Sequence, residues 1–347
     1  MAEEPKDGKF QRLLKWMGYI AAILSFLGTL YGLGKYVYDR AETNRKIDQL
    51  LAAEMVQLKG RDYESAWRTL EQAVKLKPDS SKVRDAEHSL AILWLDDIQL
   101  QRTQKFSAIS QKLVSVLSRD IASAKPGTDH ADLLAHLGWA YYLQFREETS
   151  EVDPAVTFAQ VIAEDPNNPY AHSMWGYFLL WSHRGMDDLR KAKKHFASAL
   201  DSHRREDYVR QLQTLALADC SEDYCQDELL RVASAMRQEN RPLPEHAVLR
   251  LFGHYYFAFG GASSNPQQFM NVLPPAEHLV TFHWLFDNLQ LDEGKSRSRT
   301  YYLAILQEAG GDREHALTNY RLAIADQRPH SGSMWEAATA SIKRLSR

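Results

Sequence analysis

The sequence predicts an all-α chain, with an N-terminal transmembrane helix followed by an α-solenoid of stacked helical hairpins. Three observations predict it. Helix-forming residues dominate, while Gly 17 and Pro 12 are modest counts for 347 residues, which suits helices better than many short strands and turns. An uncharged run stands near the N-terminus. Beyond that run, small and bulky apolar side chains recur at helical spacing. The length exceeds one ordinary compact domain, so two domains or one extended array are the natural arrangements. The net charge of -3, from Lys+Arg 42 against Asp+Glu 45, supplies no basic field to hold a phosphate backbone, and no nucleic acid is expected as a partner.

The chain opens with a short tail, residues 1–15. From Trp16 to Gly34, WMGYIAAILSFLGTLYGLG carries no charge, and a helix of that length rises roughly 28 Å, close to the thickness of bilayer hydrocarbon. Lys15 and Trp16 precede the run, and Lys35, Tyr36 and Tyr38 follow it, which places cationic and aromatic groups at headgroup depth. A cleaved signal peptide would need a shorter apolar core ending in small residues, and YGLGKYVYD offers no such site. A buried core helix would keep a polar face. Residues 16–38 are therefore expected to be an uncleaved single-pass anchor in the lipid bilayer. Within it Gly28 and Gly32 form a GxxxG, a close-packing face through which two anchors could make a homodimer.

Orientation is not set by charge. Lys6, Lys9, Arg12 and Lys15 before the run balance Lys35, Arg40, Arg45 and Lys46 after it. The cysteines, Cys220 and Cys225 in ALADCSEDYCQDE, leave two readings open: a disulfide closing a small loop between helices, or two unpaired thiols. Their spacing is too loose for a zinc site without further ligands nearby. The disulfide reading favours an extracytoplasmic domain, a bacterial periplasm being its natural setting.

A linker helix over 39–58 leads into a repeat array over 59–331. In GRDYESAWRTLEQAVKLKPDSS, Ala66, Leu70, Ala73 and Pro78 are spaced as a small residue, a bulky one, a small one and a breaker; in GGDREHALTNYRLAIADQRP, Ala316, Tyr320 and Ala323 repeat the spacing. A complementary pattern, apolar then small then bulky, occurs as Leu137, Gly138 and Tyr141, as Trp175, Gly176 and Leu179, as Phe252, Gly253 and Tyr256, and more weakly as Leu90, Ala91 and Trp94. Residues three, four and seven apart share a helix face, and a Gly or Ala on it lets a neighbouring backbone approach. Phe158 and Val161, then Ala192, Phe196 and Ala199, supply partners for two of these halves.

These halves and their order resemble the tetratricopeptide repeat family over roughly residues 50 to 330, although several units are longer than the family's usual repeat of about 34 residues. Helical pairs are expected near 60–98, 103–147, 153–183, 188–218, 225–258, 276–309 and 312–326. LDDIQLQRTQKFSAISQ suggests lengthened helices, and Pro274 and Pro275 break the unit beginning at Leu249. The last segment, 332–347, reads as a capping helix, with Trp335 and Ile342 toward the core and Lys343, Arg344 and Arg347 toward water.

No catalytic arrangement is found: HExxH and G-x-S-x-G are absent, and GTLYGLGKY departs from a phosphate loop in spacing and in the residue after Lys35. His136, His172, His254 and His283 lie inside helical patterns and read as packing or groove histidines. No enzyme activity, cofactor or metal is therefore expected. The resemblance implies a concave groove lined by the first helix of each pair. It would place Trp139, Tyr142, Tyr170 and Tyr177 there, with Tyr255 and Tyr301 as further candidates, to hold a protein or peptide partner; the other reading is that these rings only fill the spaces between repeats. No row of Lys and Asn at matching positions supports a clamp for a C-terminal carboxylate. The expected function is a membrane-tethered scaffold, as adaptor or chaperone-like factor. The alternative is a structural or regulatory subunit of a larger membrane complex.

Overall fold

A computed structural model describes residues 7–98, 106–149, 151–182, 185–220, 222–258, 277–288, 297–325 and 333–347. The elements among these residues are α-helices. The chain divides into two units: residues 1–104 with 115–120, and residues 105–114 with 121–347.

The first unit holds α1 (Asp7–Lys59), α2 (Tyr63–Leu76) and α3 (Ser81–Asp97), with a turn of α4 (Phe106–Ser123). Asp62 starts α2 by accepting a hydrogen bond from the Ser65 amide at 3.1 Å, which satisfies one of the free donors at the helix start. Ala66, Leu70 and Ala73 are buried, with Tyr63 and Trp67 beside them, and α2 packs its face of small residues against α1. The Tyr63 ring stacks on Trp94 of α3 at 6.0 Å. Arg119 reaches Glu87 at 2.6 Å, and His88 reaches Asp120 at 3.1 Å.

Helix α1 runs unbroken through both the expected anchor and the expected linker. From Ile47 onward it contributes buried side chains, Ile47 and Glu54 among them. Earlier, its described side chains stand in the open: Trp16 is 70% exposed, and Phe26, Tyr31 and Tyr38 are also exposed. Gly28 and Gly32 have nothing within 4 Å of where a Cβ would stand. Among the described residues, no helix is long and apolar enough to cross a membrane. This overturns the expected single-pass anchor over 16–38 and its bilayer contact, and with them the extracytoplasmic, periplasmic placement of the rest. The reason is that freedom from charge is not the same as apolarity. Tyr19, Ser25, Gly28, Thr29, Tyr31, Gly32 and Gly34 dilute the run with residues that gain little or nothing on entering hydrocarbon.

The second unit begins with the remainder of α4 and continues through α5 (Thr128–Arg146), α6 (Pro154–Glu164), α7 (Pro169–Trp181), α8 (Met186–Asp201), α9 (Glu206–Asp219), α10 (Asp223–Gln238) and α11 (Glu245–Ala258). It closes with α12 (Glu277–Asp287), α13 (Arg297–Ala309), α14 (Arg313–Ile324) and α15 (Ser333–Leu345). Pro274 and Pro275 lie outside the described residues. Asp-Pro and Asn-Pro pairs set two of the helix starts: Asp153 accepts from the Ala155 amide and Asn168 from the Ala171 amide, both at 2.9 Å, with Pro154 and Pro169 in the first turn, where a missing N–H costs nothing.

Within this unit the tightest hairpins are α5 with α6, α7 with α8, and α13 with α14. The expected ranges 153–183 and 188–218 join α6 to α7 and α8 to α9, whereas the motif halves put Phe158 with Gly138 and Phe196 with Gly176; the structure follows the motif halves. Glycine explains this pairing. A Cβ at Gly138 of α5 would stand 2.9 Å from Phe158 of α6, and one at Gly176 of α7 would stand 2.9 Å from Phe196 of α8. The second contact is the first displaced by one repeat. Each bare Cα is the hollow into which the next helix drops its ring, so the glycine helix is the first member of its hairpin.

A second repetition links distant stretches of the chain. Before α2, the Gly60, Arg61 and Asp62 amides donate to Val56, Leu58 and Gln57; before α14, Gly310, Gly311 and Asp312 donate to Leu306, Glu308 and Gln307 in the same pattern. The middle residue has positive φ in both, +56° at Arg61 and +84° at Gly311. Ala316, Tyr320 and Ala323 are then buried as Ala66, Leu70 and Ala73 are.

Candidate functional site

Helices α5, α7 and α9 lie side by side, α5 against α7 and α7 against α9. Their aromatic residues meet in the seams between them. Trp139 and Tyr142 of α5 stack at 4.8 Å, and Tyr177 of α7 meets Trp139 edge-on at 5.3 Å. Toward the other end of the same seam, Tyr170 sits 4.4 Å from His136 and 5.1 Å from Tyr208.

Trp139, Tyr142, Tyr170, Tyr177 and Tyr301 are all buried, none more than 3% exposed. As ligands lining an open groove these five are corrected: their faces are occupied by one another and by neighbouring helices. Tyr301, for example, lies 5.9 Å from Tyr320. The side chain of Tyr255 lies outside the described residues. First helices set shoulder to shoulder must fill the gap between them, and large flat rings do so at small entropic cost.

One turn further along α5 and α7 the seam opens to solvent. Trp181 is 39% exposed and packs edge-on against Tyr142 at 5.6 Å and Phe145 at 6.3 Å. Arg146, half-buried, lies over the Phe106 ring at 5.2 Å. Behind it, the Tyr177 hydroxyl donates to Asp219 Oδ2 at 2.7 Å, and His246 Nε2 stands 3.4 Å from Asp219 Oδ1. Burial pushes the Asp219 carboxyl up, but the hydrogen bonds from His246 and Tyr177 and the charge of Arg146 outweigh it and hold the group below its usual range. Burial raises both phenols, Tyr142 and Tyr177. Each therefore stays protonated at neutral pH and able to donate. The patch thus sets an indole and a guanidinium against the same tyrosine, Tyr142, backed by a buried polar chain.

The disulfide joining Cys220 and Cys225, with Cα atoms 6.0 Å apart, fixes the turn that follows Asp219. Gln226 donates to the Cys220 carbonyl at 2.7 Å, so the same turn is tied a second time. His172 and His195 bring their Nδ1 atoms within 3.0 Å between α7 and α8, and His172 Nε2 lies 2.9 Å from the Pro166 carbonyl. Among the described residues, no group of three or more His, Cys, Asp or Glu is placed to hold a metal ion.

Sequence reasoning named Tyr142 and Tyr177 but missed Arg146, Phe145, Trp181 and Asp219. The signal was there in the spacing: Arg146 follows Tyr142, and Trp181 follows Tyr177, by one helical turn.

No family model matches the chain, and no curated protein matches it. Among solved structures, it is similar to the crystal structure of a tetratricopeptide repeat protein from Parabacteroides merdae. The identity is 11% and the TM-score 0.40, over 87% of this chain and 100% of that one. A likeness this faint carries no argument about residues or partners; the hairpin geometry described above stands by itself.

Proposed function

We propose that this chain is a helical-repeat scaffold that binds other proteins, as an adaptor or chaperone-like factor, and that it performs no catalytic step. One observation supports the reading above the others: at the end of the seam between α5 and α7, an exposed indole and a half-buried arginine are both set against Tyr142, and these are the residue types that dominate binding energy at protein interfaces. Rigid helices hold both from below, so little side-chain freedom remains to be lost on association. A photo-crosslinking amino acid at Phe145 should trap discrete partners in cells, and Trp181→Ala should weaken their capture. Equal capture with a crosslinker at Val156, exposed on α6, would refute the assignment.

A second reading, a subunit held within a larger complex, draws on α1. Its exposed aromatic and aliphatic side chains between Trp16 and Tyr38 form the kind of surface that marks a contact with another molecule. Paired Leu27→Glu and Tyr31→Glu substitutions should release such a complex while leaving crosslinking at Phe145 intact.

A further inference from the structure

We infer that the α5–α7 patch reads a partner segment carrying a side-chain carboxylate close to a bulky apolar side chain, with Arg146 taking the carboxylate and Trp181 the apolar group. This rests on the patch being the partner-binding surface proposed above.

Arg146 carries the argument. A guanidinium is charged at all physiological pH and offers five donors in a fixed fork. Here it is half-buried over Phe106 and forms no ion pair with a carboxylate among the described residues. Other partly buried arginines of this unit do find acids: Arg204 reaches Asp165 at 2.9 Å, and Arg241 reaches Glu206 at 2.6 Å. Of the acids in the neighbourhood of Arg146, Asp219 already accepts from Tyr177 and faces His246, and Glu147 accepts from the Phe106 amide at 2.6 Å.

Inward, the group set against the guanidinium is the Tyr142 hydroxyl, fully buried and neutral. A carboxylate brought before Arg146 would supply the charged acceptor that this hydroxyl is not. The apolar part of the ligand follows from Trp181, which is exposed and packs with Phe145 against Tyr142, the same side chain on which the guanidinium is set. A bulky side chain resting there would shield the ion pair from water and strengthen it.

The test uses the full chain and an array of amide-capped twelve-residue peptides. Each carries one Leu or Phe, set one to four positions from a single Asp or Glu, with Asn or Gln in the matched controls. The wild-type chain should retain acidic peptides about ten- to a hundred-fold better than their amide controls, the range for a hydrogen bond to a charged group. Added salt should erode the difference. R146Q should abolish the preference and R146K should keep a reduced one, with circular dichroism confirming that both fold. Equal retention of acids and amides by the wild type, or an undiminished preference in R146Q, overturns the inference. If binding ignores charge yet falls with W181A, the patch stands as a binding surface and its proposed selectivity fails. If no peptide is retained, or W181A changes nothing, both readings fail.

Discussion

Replacing Gly176 by Ala sets two known effects against each other. In the middle of α7 the change removes glycine's excess backbone entropy, a gain of about 1 kcal/mol. The added Cβ, however, would stand 2.9, 3.0 and 3.1 Å from three ring carbons of Phe196, where carbon atoms in contact rest near 3.5–4.0 Å. The ring has to retreat by about half an ångström or more, and it is 1% exposed with α8 behind it. Forcing a methyl into a well-packed site costs about 1–3 kcal/mol, so the net change should be destabilising by about 1 kcal/mol. Trimming the ring separates the two terms. In a double-mutant cycle Phe196→Leu alone should destabilise, while Gly176→Ala added on top of it should be neutral or stabilising, a coupling of about 1 kcal/mol. Urea unfolding followed at 222 nm reads each midpoint, with an unchanged m-value as the check that compactness is preserved. Additivity of the two changes within about 0.4 kcal/mol, or a stabilised Gly176→Ala, would refute the claim that glycine is there to admit the phenyl ring.

Tyr177→Phe removes the hydroxyl that donates to Asp219 and should cost about 1–2 kcal/mol in the same assay; no loss would mean that the carboxylate does not depend on it. Burial, the neighbouring His172 and then Lys194 lower the His195 pKa from 6.5 to about 4. The unfolded chain takes up this proton first, so stability is full above pH 6.5 and declines as pH falls toward 4. The span of values sets a ceiling of about 3 kcal/mol, which partial contact with water reduces to roughly 1–2; His195→Gln should flatten that part of the stability–pH curve, and an unchanged slope would exclude His195 as its source. Reducing the Cys220–Cys225 bond, whose partners are 5 residues apart, should cost about 2 kcal/mol by loop closure, read as a lower melting temperature that a Cys225→Ser variant reproduces without reductant. Arg61→Gly, which copies Gly311 at the matching turn, should stabilise the α1–α2 hairpin by up to about 1 kcal/mol, and a loss of stability would show that the Arg61 side chain matters more than its backbone.

The elements most legible in the sequence were those whose local chemistry and burial agree. Ala66, Leu70 and Ala73 announce a buried helical face through spacing alone, and Ala316, Tyr320 and Ala323 do the same. What spacing cannot convey is what covers a face. Tyr142 and Tyr177 carry the same signature whether a peptide or the next helix lies over them, and the structure puts the next helix there. Arg146 and Trp181 escaped notice because a single charged or aromatic residue on a helix is ordinary; only the meeting of α5 with α7 sets both against Tyr142. The run from Trp16 to Gly34 misled for another reason. Counting charges gives a yes-or-no answer where transfer free energy is a sum, and glycines and hydroxyl-bearing residues weigh heavily in that sum.

The C-terminal tie has a bearing on how the second unit comes apart. Glu308 of α13, 8% exposed, accepts from Tyr320 of α14 at 2.9 Å and from Arg344 of α15 at 3.0 Å. Where packing passes from one hairpin to the next, a stack can open one member at a time. A single carboxylate fastening three successive helices acts as a clasp against this, because lifting α15 strands a buried charge on α13. The three helices should therefore resist amide exchange and proteolysis as a block, opening in one step or not at all.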